Sequence, residues 1–213
     1  MNKIKPLYRN IIFCIVILLA IFISVSKNFV IVNSIEMQGS YGIIDGYVSS
    51  KPDNVIFNES AKTVNIDKSK THGDKMIEFA HEYTSNINLY YFDASDDEGK
   101  IKTDKIIEGL EWMSSNSVQK VNLSLSSKSF SIELSEWIRS HNNIKVYASY
   151  NNVINTNDYP AKYDFVYAFG YDNRINYKNI DIQYNSSKII LLSKRIKLYE
   201  GTSYLSIISM LKN

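Results

Sequence analysis

Three side chains in this sequence have the types that acyl transfer needs, in an order that suits it: Asp45, His72 and Ser203. A serine hydroxyl is a weak nucleophile at neutral pH. It needs a neutral imidazole to take its proton, and the imidazole needs a carboxylate to fix its tautomer and stabilise its charged form. The tetrahedral oxyanion needs preorganised donors. Asn151 and a backbone N–H at a helix N-terminus would supply two. Each of the four lies in a segment that suits the task. Gly42-Ile43-Ile44-Asp45-Gly46 puts a carboxylate where a buried strand meets a turn. Lys70-Thr71-His72-Gly73 puts a histidine at the start of a helix. Val146-Tyr147-Ala148-Ser149-Tyr150-Asn151 ends a strand on an amide, and Gly201-Thr202-Ser203-Tyr204 puts a serine at the entry to the last helix. Taken singly, each residue has a plainer reading: Asp45 as a turn residue, His72 and Ser203 as helix caps, Asn151 as one of many asparagines.

The order of the four segments changes that balance. Asp, His, Ser is the order of subtilisin, and the segments resemble the subtilisin-like serine protease family. Asp45 matches the family's strand-end aspartate, His72 its His-Gly motif, Ser203 its Gly-Thr-Ser motif and Asn151 its oxyanion asparagine. Intervening segments match too. Ile107 to Trp112 resembles the helix before the substrate strand, and Val121-Asn122-Leu123-Ser124-Leu125 resembles that strand. Tyr159-Pro160-Ala161 and Ala168-Phe169-Gly170 follow in the family's order. The resemblance implies that Ser124, Leu125, Ser126 and Tyr150 meet the substrate. The chain departs from the family where Ser126 and Tyr150 replace glycines, and where Asp74 and Lys75 follow Gly73. No family-type proline stands in the serine helix.

The elements that would position these residues alternate along the chain. Apolar runs predict strands at Tyr41 to Ile44, Ile87 to Phe92, Val121 to Leu125, Ile144 to Ala148, Phe165 to Phe169 and Ile189 to Leu192, with a short one at Thr63 to Ile66. Helical spacing predicts helices over Gly73 to Tyr83, Thr103 to Met113 with Thr103 as N-cap, and Ser131 to Ser140, and from about Thr202 onward. Ser49 to Ala61 is polar and reads as a loop. This alternation predicts a three-layer α/β/α domain with a mostly parallel, doubly wound sheet. In such sheets working groups gather at the carboxyl ends of strands.

Lys3, Lys5 and Arg9 precede an uncharged apolar run from Ile11 to about Val25, and Phe29 to Val32 could extend it. The run predicts one transmembrane signal anchor or a cleaved signal peptide, with the remainder outside the cytoplasm. Residues 1–33 are thus the terminal segment and 34–213 the catalytic domain. Net charge is +2 without a dense basic block, which argues against a nucleic-acid partner. Cys14 is the one cysteine, so a disulfide within the chain and a thiol centre are excluded. The three histidines lack zinc-ligand spacing, and neither metal nor cofactor is expected. The resulting expectation is a serine endopeptidase acting on an extracytoplasmic peptide or protein, with the membrane as its second partner. The alternative is a catalytically silent domain of the same fold that binds a peptide or protein partner there.

Overall fold

The computed structural model describes residues 6–61, 63, 70–151, 158–170 and 186–212. An N-terminal helix, α1 (Pro6–Asn28), leads through Phe29 into β1 (Val30–Asn33). There follow β2 (Ile35–Asp45), β3 (Val55–Phe57), α2 (His72–Tyr83), β4 (Thr84–Asp93), α3 (Thr103–Ser115), β5 (Lys120–Leu123) and α4 (Ile132–Ser140). The chain continues with β6 (Lys145–Ser149), β7 (Tyr167–Phe169), β8 (Lys188–Leu192), β9 (Ile196–Glu200) and α5 (Thr202–Lys212).

Six strands form a parallel sheet in the order β3-β4-β2-β5-β6-β7. Its central strands are apolar on both faces, as helices on either side require. Ile43 faces one layer with Tyr91, Tyr147, Phe169 and residues of α2 and α5. Ile44 faces the other with Phe92, Val121, Leu123, Ala148 and residues of α3 and α4. Register aligns the strand ends: Ile44 sits opposite Phe92 and Leu123, and Leu123 opposite Ala148. The carboxyl ends of β2, β5 and β6 therefore form one edge, with Asp45 on it. A second sheet of three strands, β1-β8-β9, has β1 parallel to β8 and β8 antiparallel to β9. Its inner residues Val32, Ile189 and Leu191 join the core under α2 and α5.

Three local expectations are corrected. The N-cap of α3 is Lys102, which makes no side-chain cap bond, so Thr103 is already inside the helix. Ser49 to Ala61 contains β3, an edge strand paired only with β4; three residues are too few to show a period. Phe29 to Val32 does not prolong the apolar helix, because β-branched Val30, Ile31 and Val32 pair with β8 instead. Of the strand expected at Thr63 to Ile66, Thr63 bridges Val48, and residues 64–66 lie outside the described residues. The side chains of α1 that are described, among them Phe13, Leu18 and Phe22, are exposed. No helix among the described residues is long and apolar enough to cross a membrane.

Candidate active site

Asp45 ends β2 with its carboxylate buried. Oδ1 accepts the Gly46 backbone N–H at 2.7 Å, and Oδ2 lies 2.6 Å from His72 Nδ1. A carboxylate of this kind only accepts, so Nδ1 carries the proton and Nε2 is left with its lone pair. The imidazole is half exposed while its partner is not. The hydrogen bond to Asp45 raises the His72 pKa above its ordinary 6.5, against a smaller lowering from desolvation.

His72 is the first residue of α2, and the start of that helix is fixed several times over. Thr71 is the N-cap, accepting the Asp74 N–H at 3.0 Å, while the Asp74 carboxylate accepts the Thr71 N–H at 2.8 Å. This is a capping box. Asp74 also takes the Ser49 N–H at 3.0 Å and its hydroxyl at 2.6 Å, which ties the loop after β2 to the same turn. Partial burial raises the Asp74 pKa, but the hydrogen bonds from Ser49 and Thr71 outweigh it and hold the carboxyl below its ordinary value. Gly73 follows because Tyr91 leaves no room for a Cβ: the added carbon would overlap Tyr91 Oη and come 2.9 Å from Cζ. That hydroxyl donates to the Gly46 carbonyl at 2.6 Å, so one tyrosine braces the turn after Asp45 and the turn of His72 together.

Ser203 is the second residue of α5 and is partly buried. Gly201, at φ 141°, makes the reversal that starts the helix, a backbone angle that a side chain disfavours. Thr202 is buried, and its hydroxyl donates to the Tyr150 carbonyl. This contact joins the start of α5 to the residue before Asn151, just past β6. One turn into α5, Ser206 Oγ donates to the Ser203 carbonyl at 2.8 Å and accepts from Asn122 Nδ2 at 2.7 Å. Ser124 Oγ donates to Asn122 Oδ1 at 2.6 Å. The predicted substrate strand and the serine helix are therefore tied by a buried polar chain.

The structure thus brings Asp45 and His72 into direct contact and puts both at the edge where β5 and β6 end. Asn151 is exposed at the end of β6. Among the described residues no hydrogen bond joins His72 to Ser203. Ser124, Leu125 and Ser126 line a cavity of about 360 Å³ whose apolar walls include Ile106, Leu134 and Tyr163. Tyr150 does not line it. Tyr150 is 8% exposed and belongs to the core cluster with Ala161, Tyr163 and Val166. Among the described residues no group of three or more His, Cys, Asp or Glu side chains could hold a metal ion.

Sequence reasoning missed Asn122, Ser206, Asp74 and Tyr91. Asn122 had a signal: an amide between Val121 and Leu123 in an otherwise apolar strand needs a buried partner. Ser206, three residues after Ser203, shares its helix face.

No protein-family model matches the chain, and no curated protein does. Among solved structures, the fold is similar to the psychrophilic subtilisin-like protease Apa1 of the Antarctic psychrotroph Pseudoalteromonas sp. AS-11. Identity is 18% and the TM-score 0.46, over 61% of this chain and 35% of that one. It is also similar to the prenylagaramide maturation protease PagA, at 14% identity and TM-score 0.48, over 80% of this chain and 72% of that one. The match thus spans about a third of the length of the first. Likeness at this level assigns neither residue roles nor activity.

Proposed function

We propose that the chain is a serine endopeptidase. Ser203 Oγ attacks the scissile carbonyl carbon while its proton passes to His72 Nε2, and Asp45 stabilises the resulting imidazolium. Asn151 and the Ser203 backbone N–H receive the oxyanion. The tetrahedral adduct collapses to an acyl-enzyme as His72 returns the proton to the departing amine. Water, deprotonated by His72, then releases the second product and restores Ser203. The observation that carries this reading is the 2.6 Å hydrogen bond that His72 Nδ1–H donates to the buried Asp45 carboxylate, which presents Nε2 as a base. Ser124, Leu125 and Ser126 would run beside the substrate, over the cavity that they line.

In the same proposal the working site lies outside the cytoplasm. Support comes from Lys3, Lys5 and Arg9 ahead of the apolar run, and from the exposed apolar side chains of α1. In this reading the segment ahead of β1 is a signal anchor or cleaved signal peptide, and the substrate is a peptide or protein at that face. A second reading, a silent peptide-binding domain, is favoured by one observation: Tyr150, where the resembled family has glycine, fills core space next to Asn151.

Reaction with a fluorophosphonate serine probe separates the two. Labelling of the full chain that is lost in Ser203→Ala and in His72→Ala supports the triad. A folded protein that takes up no probe overturns it and leaves peptide binding.

A further inference from the structure

Residues of the β1-β8-β9 sheet alternate between core and outside. Val32, Ile189, Leu191, Lys197 and Tyr199 face inward. The register then sets Ile31, Ile190 and Leu198 in one outward row, and Asn33, Leu192 and Ile196 in the next. Five of these six are aliphatic. Leu198 is 69% exposed, Ile196 74% and Ile31 41%. These aliphatic side chains form one contiguous exposed apolar patch across the three strands.

Two features identify what covers it. The first is continuity. Only Phe29 separates β1 from α1, on which the described apolar side chains, up to Ile23, are also exposed, so the two apolar surfaces belong to consecutive elements. The second is charge. Exposed Lys194 and Arg195 form the turn between β8 and β9, and exposed Lys188 stands at the start of β8; Glu200 stands opposite Lys188, and Glu36 and Glu82 share a cleft with Lys194 and Arg195. An aliphatic patch with a basic rim suits the headgroup boundary of an anionic bilayer. A second copy of the chain suits it less. Three strands about 4.8 Å apart and two rows about 7 Å apart give a footprint on the order of 200 Å², against about 800 Å² per partner in a stable pair.

We propose that the outer face of the β1-β8-β9 sheet lies on an anionic lipid surface and fixes the orientation of the domain on the membrane. This rests on the placement of the domain at a membrane, not on its chemistry. Its consequence is for the substrate. β9 leads from this face directly into Ser203, five residues after Leu198. Docking would hold the nucleophile beside the bilayer, where it meets peptides that lie along or emerge from the lipid surface.

The test places an environment-sensitive fluorophore at Leu198→Cys in full-length protein carrying Cys14→Ser, in vesicles containing phosphatidylglycerol. Glu136→Cys, on the exposed side of α4, is the control. Docking predicts a blue shift and loss of most of the fluorescence to nitroxide-bearing lipid at 198, and neither at 136. Lys194→Ala with Arg195→Ala should lower the docked-to-undocked ratio roughly 25-fold, at about fivefold for each basic charge. A vesicle-bound chain whose 198 label stays in water overturns docking and leaves the N-terminal anchor. No association with vesicles overturns both. Protection that needs no lipid and grows with protein concentration overturns docking in favour of a second copy. Fluorophosphonate uptake in the same samples reports on the triad separately.

Discussion

Asn122 Nδ2 donates to Ser206 Oγ at 2.7 Å, and neither side chain has any exposure to solvent. Ser206 in turn donates to the carbonyl of Ser203. The first turn of the serine helix is thereby referenced to the neighbouring strand. Ser206→Ala leaves the Asn122 amide buried without that acceptor, which costs about 1–3 kcal/mol. Urea unfolding should show the loss as a lower midpoint at unchanged slope. Ser206→Thr, which keeps the hydroxyl, should recover part of both the stability and the fluorophosphonate labelling rate. An unchanged midpoint in Ser206→Ala would remove the network from the account of how Ser203 is held.

His72 must be neutral at Nε2 to act as a base, and its bond to Asp45 raises its pKa above 6.5. The labelling rate should therefore rise with pH through a midpoint above 6.5. Asp45→Asn removes the charge that stabilises the imidazolium, so the midpoint should fall and the plateau should drop by roughly 10⁴-fold. The stability linkage has the opposite sense. A raised histidine pKa contributes stability that is complete below the unfolded value and is lost as pH rises through the folded one. Solvent screens the half-exposed ring, which keeps that contribution small. A labelling midpoint at or below 6.5 in the unmodified chain would contradict the role given to the pair.

Much of this arrangement was legible in the sequence. Ile43-Ile44, Tyr91-Phe92 and Val146 to Ala148 are uninterrupted apolar runs because both faces of their strands are covered, and such runs are visible without coordinates. The contact of Asp45 with His72, 27 residues on, was what the family resemblance implied; the strand-end and helix-start signals alone would have left a turn residue and a cap. What escaped was short or set by tertiary contacts. β3 spans three residues and owes its pairing to β4. β9 hides its alternation because its outward residues, Ile196 and Leu198, are apolar, while its inward Lys197 and Tyr199 meet Glu82. Asp74 looked like a departure from the resembled motif, and its work as a capping carboxylate is apparent only once Thr71 and Ser49 converge on it.

That convergence predicts the effect of weakening the start of α2. Thr71→Ala removes the N-cap acceptor and should cost about 1 kcal/mol. Asp74→Ala removes the other half of the box and both bonds from Ser49, and should cost more. The double variant should lose less than the sum of the two, because each change disables the same box. Chemical denaturation of the four proteins measures this directly, and strict additivity would show that the two residues act independently.

Gly73 and Tyr91 are coupled by shape. A methyl group at position 73 would overlap Tyr91 Oη, and that hydroxyl is held in place by its bond to the Gly46 carbonyl. Gly73→Ala should therefore destabilise by about 1–3 kcal/mol, the ordinary cost of overpacking. It should also slow labelling, since relief requires displacing either the turn of His72 or the turn after Asp45. Tyr91→Phe removes the oxygen, and with it one hydrogen bond worth about 1 kcal/mol. In the Gly73→Ala background, however, it removes the worst contact and leaves the one at Cζ. The double variant should then be no less stable than Gly73→Ala alone, and should label faster. If Tyr91→Phe instead deepens the loss by its full single-site cost, the tyrosine ring rather than its hydroxyl sets the space at Gly73, and the bracing of the two turns must come from packing.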